Sequence, residues 1–273
     1  MEEAIYHITH TSPEAVQLLH ITDCHLFHDP NGRLLGLNTE HSLKAVLEAA
    51  QKVPHDAVLA TGDLAQDASA AAYQRLGRFL SRLNRPVFWT AGNHDDPAVM
   101  HRHFIGQHIQ PHKCIQSTYW QILMLDSSVR RQVHGYLSDK ELAWLEKRLT
   151  AHPEKWALIV LHHQPVPVGS QWLDGIGLKN SATLFALIAR FPQVKGILWG
   201  HVHQEFQQKL HGLRLMATPS TCVQFAVGSS DFKAGTEEPG YRTLKLFHDG
   251  SIETEVHRTR PMEFTVDYSI KGY

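Results

Sequence analysis

The sequence lacks the features that mark secreted and membrane-spanning proteins. Its three cysteines, Cys24, Cys114 and Cys222, are too few and unsuitably spaced for a disulfide framework or a structural zinc knuckle. No apolar run approaches the roughly 20 residues that a membrane helix needs. The first residues, Met1–Ala4, contain neither a basic nor an apolar segment, so we expect no secretory signal. These absences predict a cytoplasmic protein with no membrane partner.

An excess of charge of one sign is also missing. The 26 lysines and arginines balance 27 aspartates and glutamates, so bulk charge predicts no nucleic-acid partner. A chain of 273 residues with 42% hydrophobic content can bury a substantial core. Because we find no internal repeat or linker, we predict one domain over residues 1–273. It would comprise a motif-bearing part at about 16–203, a β-rich part at about 204–259 and a tail at 260–273.

Short apolar runs alternate with segments of helical periodicity. Strands are predicted at about 16–21, 56–60, 86–90, 115–120, 121–125, 156–161, 194–199, 205–210, 213–217, 241–247 and 252–257. Helices are predicted at about 40–51, 68–83 and 181–191, with a further helix beginning at Ser138. This alternation indicates βαβ units and therefore an α/β fold with a parallel or mixed sheet.

Histidine is abundant, with 21 residues, and several histidines stand with acidic or amide groups directly after predicted strands. A loop such as Gly92-Asn93-His94-Asp95 would on its own be read as an ordinary turn. Four other loops carry matching groups, namely Asp23-Cys24-His25, Gly62-Asp63, His162-His163 and His201-Val202-His203. Strand ends at one edge of an open α/β sheet build its sites, and burying so many metal-type groups without a cation would be costly. The sequence therefore predicts a metal site.

The spacing inside two of these loops suggests how their side chains meet. Residues at i and i+2 of an extended segment point the same way. We therefore expect Asp23 to converge with His25, and His201 with His203. Cys24, which lies between two candidate ligands, would point away and serve as inert packing.

Together and in this order, the five loops resemble the motifs of the calcineurin-like metallophosphoesterase superfamily. Within it, the chain resembles the class III cyclic nucleotide phosphodiesterases, and in particular the bacterial 3′,5′-cyclic AMP phosphodiesterases of the CpdA type. The added likeness lies in Ser170–Asp174, Ala217–Phe225 and Pro239–Leu244. The resemblance implies a single metallophosphoesterase domain. Its fold would be a four-layer αββα sandwich, in which helices flank two mixed β-sheets.

The resemblance also implies two metal ions bridged by Asp63. One would be held by Asp23, His25, Asp63 and His203, and the other by Asp63, Asn93, His163 and His201. Iron and manganese are the first choice for such mixed nitrogen and oxygen ligands, and zinc or cobalt would also suit them. The family pattern places the ligand two residues before Pro165, which is His163. Strand alternation would then turn His162 away, so His162 is the reserve candidate.

The implied reaction is hydrolysis of 3′,5′-cyclic AMP to 5′-AMP by in-line attack of a metal-bound hydroxide. His94 is the predicted catalytic residue, which would protonate the leaving alkoxide or stabilise developing charge. The predicted substrate contacts are His25, Asn93, His94 and His203. Asp95 is expected to orient His94 or to cap the following turn.

Some alternatives stay open at this point. The partner would be a small-molecule cyclic nucleotide, but a glycerophosphodiester or a nucleotide monoester would suit the same ligands. A scaffold that keeps the fold without the chemistry is a third interpretation. A homodimer is neither required nor excluded by the sequence.

Overall fold

Two β-sheets lie face to face in the computed structural model, which describes residues 4–9 and 11–267. Within these ranges, seven strands form the first sheet, in the spatial order β1 (Ile5–His7), β8 (Cys114–Gln116), β9 (Trp120–Met124), β10 (Trp156–Val160), β11 (Val194–Trp199), β13 (Leu213–Ala217) and β12 (Phe206–Leu210). Six strands of the same ranges form the second sheet, in the order β15 (Ile252–Arg258), β14 (Gly240–Phe247), β2 (Ala15–Ile21), β5 (Ala57–Thr61), β6 (Val87–Thr90) and β7 (Ile109–Gln110).

Helices cover the outer face of each sheet. The second sheet packs against α1 (Thr39–Ala50), α2 (Ala70–Ser81) and α3 (Pro97–His103), whereas the first sheet packs against α4 (Asp139–Ala151), the short α5 (Gln171–Asp174) and α6 (Ser181–Ile188). A small hairpin, β3 (Arg33–Leu34) with β4 (Leu37–Asn38), precedes α1. Both sheets mix parallel and antiparallel pairs. The predicted four-layer αββα sandwich is therefore confirmed.

The strands sort their apolar side chains between two cores. In β2, Leu18 contacts the layer between the sheets while Leu19 faces the helices, and in β10 Leu158 and Ile159 divide in the same way. This follows from the period of two along a strand. Because both faces of these strands are buried, they read in the sequence as continuous apolar runs.

Side chains cap three of the helices at their first turn. Asn38, Ser69 and Ser138 each accept a hydrogen bond from a backbone N–H three residues later. These caps begin α1, α2 and α4 close to the predicted positions. They matter for the site because α1 and α2 each follow a loop that carries predicted ligands.

The parallel strands bring the predicted site loops to one edge. In the second sheet β2, β5 and β6 are neighbours and run parallel, and in the first sheet β9, β10 and β11 do the same. The loops that follow these strands contain the predicted ligands. The carboxyl ends of the two sheets thus face each other across the site, as the sequence predicted for one sheet edge.

The C-terminal strands join both sheets. Strands β12 and β13 extend the first sheet beyond β11, whereas β14 and β15 extend the second sheet beyond β2. Of the tail predicted at 260–273, the described part packs on the β3–β4 hairpin through Phe264 and Val266. Residues 268–273 lie outside the described ranges.

A few elements differ from the prediction. The strand predicted at 115–120 is wrong in its second half, because β8 ends at Gln116 and the chain turns before β9. The helix α3 and the short strands β1 and β7 were not predicted. None of the helices in the part of the chain described here is long and apolar enough to cross a membrane.

Candidate metal centre

The site loops depart from regular backbone at the residues that carry the predicted donors. Five of these residues have left-handed φ angles: Asp23 (53°), His25 (45°), Asp63 (48°), His201 (64°) and His203 (47°). Such conformations cost non-glycine residues energy and concentrate at functional sites. The segments at 23–25 and 201–203 are therefore not extended, so the strand rule from which we expected these side chains to converge does not apply to them.

A first cluster contains Asp23, His25 and His203. The Nδ1 of His25 lies 2.5 Å from the Gln66 side-chain oxygen, and the Nδ1 of His203 lies 2.6 Å from the Val223 carbonyl. Since carbonyl oxygens only accept, each ring carries its proton on Nδ1. The two Nε2 lone pairs then face each other at 3.1 Å, with Asp23 Oδ1 3.3 Å from the Nε2 of His203. A cation bound by both nitrogens and by this carboxylate would satisfy the arrangement.

A second cluster contains Asn93, His162 and His201. The Nδ1 of His162 donates to the Thr61 carbonyl at 2.8 Å, so in the neutral ring the Nε2 carries the lone pair. That Nε2 lies 3.3 Å from Asp63 Oδ2 and 3.3 Å from the Asn93 side-chain oxygen, both of which are acceptors. The expectation that strand alternation turns His162 away from the site is therefore wrong. Strand β10 ends at Val160, so the alternation does not reach His162.

Two groups of this region have no hydrogen-bond partner among the described residues. They are Asp63 Oδ2 and both ring nitrogens of His201, and all three atoms are buried. The backbone N–H of His201 donates to the Asp23 carboxylate, at 3.2 Å and 3.1 Å from its two oxygens. Buried polar atoms are normally satisfied, so these atoms point to an ion at this place.

His163, the ligand predicted from the family pattern, has partners on both ring nitrogens. Its Nε2 lies 3.1 Å from the Val133 carbonyl and therefore donates, and its Nδ1 lies 2.8 Å from the Ser127 hydroxyl. The ring still lies close to His162 and His201, with donor atoms of the three side chains within 4.8 Å of one another. The structure thus brings both neighbouring histidines to the centre, but of the two only His162 directs its Nε2 at Asp63.

The electrostatics of the clusters favour a positive charge next to Asp63. Burial alone would lower the pKa of His162, but the Asp63 carboxylate outweighs it and raises that pKa to about 9, so without a metal ion this ring is protonated and pairs with Asp63. A bound cation would replace that proton. Burial lowers the pKa of His25, His163 and His201, which keeps these rings neutral. Neutral imidazoles around an ionised carboxylate are the form in which histidine binds metals.

The centre opens on one side. Asn93 and His94 are half-buried, whereas Asp23, His25, Asp63, His162, His163, His201 and His203 are buried. The backbone N–H of His94 donates to Asp63 Oδ1 at 2.8 Å, and its ring stands edge-on to the ring of His25, with 5.1 Å between centroids. A substrate would therefore meet Asn93 and His94 first.

Several residues that support the centre were missed in the sequence. Gln66 orients His25, Thr22 donates to Asp23 Oδ2 at 2.6 Å, and Ser220 donates to the Asp23 carbonyl at 2.8 Å. The ring of Phe225 stacks on His203 at 4.1 Å. Gln66 lies three residues after Asp63 and Thr22 directly precedes Asp23, so proximity to the ligands was the available signal. Ser220 and Phe225 lie in the stretch 217–225 that carried the family likeness.

The structure also bears on the expectations for Cys24 and Asp95. Cys24 is buried in the core between the second sheet and its helices, as expected of packing. The turn after Asp95 is capped by Asp96, whose side chain accepts from Ala98 and Val99 at the start of α3. The expectation that Asp95 caps this turn is therefore wrong.

These observations fit bound metal ions. Two sets of nitrogen and oxygen atoms able to bind a metal ion, one in each cluster, converge and share the carboxylate of Asp63. Nitrogen and oxygen donors of this kind suit first-row transition metals. The fit rests on buried atoms that lack partners and on ring nitrogens that face acceptors.

Comparison with known proteins agrees with this geometry. Residues 16–205, more than half of the chain, match the family described as calcineurin-like phosphoesterase. The chain belongs to the calcineurin-like phosphoesterase family. Members of this family use divalent metal ions, in keeping with the two clusters.

Relatives within the family resemble the chain over almost its whole length. The 3′,5′-cyclic adenosine monophosphate phosphodiesterase CpdA of Pseudomonas aeruginosa is 44% identical over 267 residues, covering 97% of this chain and 98% of that protein. The protein of the same description from Escherichia coli K12 is 46% identical over 261 residues, covering 94% and 95%.

Solved structures of the calcineurin-like phosphoesterase fold are similar at low sequence identity. A dimetal phosphatase from Danio rerio has a TM-score of 0.68 at 16% identity and covers 94% of this chain and 100% of its own. The GAP50 anchor of the Plasmodium inner membrane complex has a TM-score of 0.61 at 11% identity, covering 93% and 91%. At these identities the likeness shows the fold alone.

Proposed function

We propose that this phosphoesterase hydrolyses 3′,5′-cyclic AMP to 5′-AMP. The observation that carries the proposal is the pair of ligand clusters joined at Asp63, in a chain that matches cyclic AMP phosphodiesterases over almost its whole length. The clusters supply the phosphoesterase chemistry. The full-length relatives supply the choice of substrate.

In this proposal each cluster holds one metal ion. The ligands of the first would be Asp23, His25, Asp63 and His203, and those of the second would be Asp63, Asn93, His162 and His201. His162 takes the place that the family pattern gave to His163, because its Nε2 faces Asp63 and Asn93 while both nitrogens of His163 have other partners. Manganese and iron remain the first choices among metals. Bound ions would clamp the phosphate and supply an acidified water as nucleophile.

The residues of the chain then divide the remaining work. His25, Asn93 and His203 border the place where the phosphate would lie, and His94 stands at the open side. We assign His94 the role of giving a proton to the leaving 3′ oxygen, because its backbone is fixed by Asp63 and its half-buried ring lies beside that of His25. The cyclic phosphodiester opens when the bond from phosphorus to that oxygen breaks.

We also propose a cytoplasmic location and a small-molecule partner. All three cysteines are free and buried, which suits a reducing compartment. The anionic substrate would be attracted by the bound cations, since the protein as a whole has a formal charge of only -1.

Hydrolysis assays test the substrate. We expect manganese- or iron-loaded protein to convert cyclic AMP to 5′-AMP, to leave 5′-AMP intact, and to lose activity when a chelator removes the metal. Parallel assays with cyclic GMP and bis(p-nitrophenyl) phosphate distinguish a cyclic nucleotide enzyme from a general phosphodiesterase. Rapid cleavage of 5′-AMP without attack on cyclic AMP would refute the proposal.

A His94→Ala variant tests the acid. We expect turnover to fall by about 10²- to 10⁴-fold, the usual contribution of a general acid, with metal content unchanged. His101→Ala, an exposed histidine on α3, is the control and should behave like the wild type. Loss of metal from the His94→Ala variant would contradict the proposed role.

A further inference from the structure

The carboxylate of Asp95 accepts four hydrogen bonds beside the metal centre. Its Oδ2 accepts from the backbone N–H groups of Gly92 at 3.0 Å and Leu64 at 3.2 Å, and its Oδ1 accepts from the N–H of Ala65 at 3.1 Å and the hydroxyl of Tyr73 at 2.8 Å. Each of the four partners has a proton to donate, so the two carboxylate oxygens act as the acceptors of all four bonds.

Three of these donors belong to the two loops that supply Asp63 and Asn93. Leu64 and Ala65 directly follow Asp63, and Gly92 directly precedes Asn93. The loops also touch each other, because a Cβ on Gly92 would lie 2.4 Å from the Asp63 backbone nitrogen. Asp95 therefore links the backbone that directly follows Asp63 to the backbone that directly precedes Asn93.

A third attachment joins this link to the helix layer. Tyr73 lies on α2 and is fully buried, and its hydroxyl both donates to Asp95 and accepts from the backbone N–H of Asp96 at 3.2 Å. The position of Asp95 is thus set by a rigid element rather than by the loops alone. Movement of either loop would break bonds to the same carboxylate.

The first cluster is held to Asp63 in a different way. The backbone N–H of Asp23 donates to the Gly62 carbonyl at 3.1 Å, and that of His25 donates to the Asp63 carbonyl at 2.9 Å. These bonds do not involve Asp95. Loss of Asp95 would therefore loosen the spacing between Asp63 and Asn93 while the spacing between Asp63 and His25 persists.

We propose that Asp95 is a positioning residue that holds Asp63 and Asn93 at the separation required by the metal ion of the second cluster. The inference rests on the ligand sets given under the proposed function. It assigns the last member of the Gly92-Asn93-His94-Asp95 loop a role distinct from binding metal and from orienting His94. Its consequence is selective: the second ion should weaken while the first stays.

Manganese binding tests this selectivity. In Asp95→Asn the amide keeps the shape but replaces one acceptor by a donor that faces N–H groups. We expect its second manganese ion to bind about 10- to 100-fold more weakly, as is usual when a residue behind a ligand is lost. Metal analysis should find one ion per chain, and electron paramagnetic resonance should show the six-line spectrum of isolated manganese. Excess manganese should restore turnover.

Two variants accompany this measurement. Tyr73→Phe removes one of the four donors, and we expect the second ion to weaken by about two- to tenfold, the worth of one hydrogen bond. It also keeps the test open if Asp95→Asn does not fold. Asp96→Ala is the matched control, because this neighbouring acid binds backbone N–H groups of α3 rather than of the site loops. It should hold two ions as the wild type does.

The outcomes separate this inference from the proposed function. Wild-type affinity for both ions in Asp95→Asn and Tyr73→Phe, equal weakening of both ions, or the same loss in Asp96→Ala would each overturn the role of Asp95. A wild-type protein that binds two manganese ions but cleaves bis(p-nitrophenyl) phosphate and not cyclic AMP would refute the substrate and leave the role of Asp95 intact.

Discussion

The two clusters of the metal centre share Asp63 but differ in how firmly their other donors are held. In the first cluster both imidazoles are buried and each is oriented by a carbonyl on its Nδ1, from Gln66 for His25 and from Val223 for His203. In the second cluster Asn93 is half-buried, and the ring of His201 has no hydrogen-bond partner among the described residues.

This difference indicates that the first cluster retains its metal ion, whereas the second cluster lies where a substrate gains access. Donors oriented in advance by partners lose little freedom when they bind a metal ion, so the first cluster should hold its ion more tightly. The second cluster lies beside the open side at Asn93 and His94, where a substrate would exchange with water. The structure therefore combines a preorganised candidate metal site with an adjustable one, and the Asp63 carboxylate joins them.

Removing the shared carboxylate should have the largest effect, because both clusters then lose a ligand. In Asp63→Asn we expect both clusters to lose affinity and kcat/KM for cyclic AMP to fall by about 10³-fold or more, since a bound Lewis acid contributes several kcal/mol. Metal analysis together with initial rates measures both effects. Asp67→Asn, in the same loop but partly exposed, should keep most of the activity; a similar loss there would contradict the special place of Asp63.

Replacing each of the two adjacent histidines should show which of them binds the ion of the second cluster. His162→Ala should lose the ion of the second cluster and about 10²-fold or more in kcat/KM, because it removes the lone pair that faces Asp63 and Asn93. His163→Ala should keep both ions and lose about tenfold at most, because it removes only contacts to Ser127 and Val133. The metal content of the two variants shows which histidine is the ligand. Loss of the second ion in His163→Ala alone would mean that His163, as the family pattern gave, binds this ion.

Loosening the first cluster should have the smallest effect. Gln66→Leu removes the acceptor that orients His25, and we expect the affinity of the first ion to fall by about tenfold, the lower end for such partners. Competition with a chelator of known affinity measures this change. Gln74→Leu, an exposed glutamine on α2, provides the control. An unchanged affinity in Gln66→Leu would mean that the two clusters do not differ through their partners.

The fold was predictable because its strands carry an unambiguous signal. The apolar runs that became β2, β5, β6, β10 and β11 each end at a loop with metal-type residues, and the strand order brings those loops together. The helix α4 was predicted to begin at Ser138, whose cap depends on local sequence alone. Local rules therefore sufficed for the elements that position the site.

The site was predictable in its members but less so in their orientation. His162 and His163 differ by one residue, and the choice between them depended on an alternation that stops when β10 ends at Val160. Asp23 and His25 meet through left-handed backbone, which no spacing rule for strands describes. Gln66 reaches His25 from another loop, and its position three residues after Asp63 was the only sign of this tertiary contact in the sequence.

The sharing of the C-terminal strands between the two sheets limits how far the catalytic part can be separated from the rest. Residues 16–205 match the family and contain every predicted ligand. Yet Met216, Leu244, Leu246 and Ile252 fill the layer between the sheets, and β13 and β14 cover the edges of β11 and β2. A fragment cut after the last ligand would expose this layer and two open strand edges. The smallest unit able to fold around the metal centre is therefore much longer than the stretch that carries its motifs.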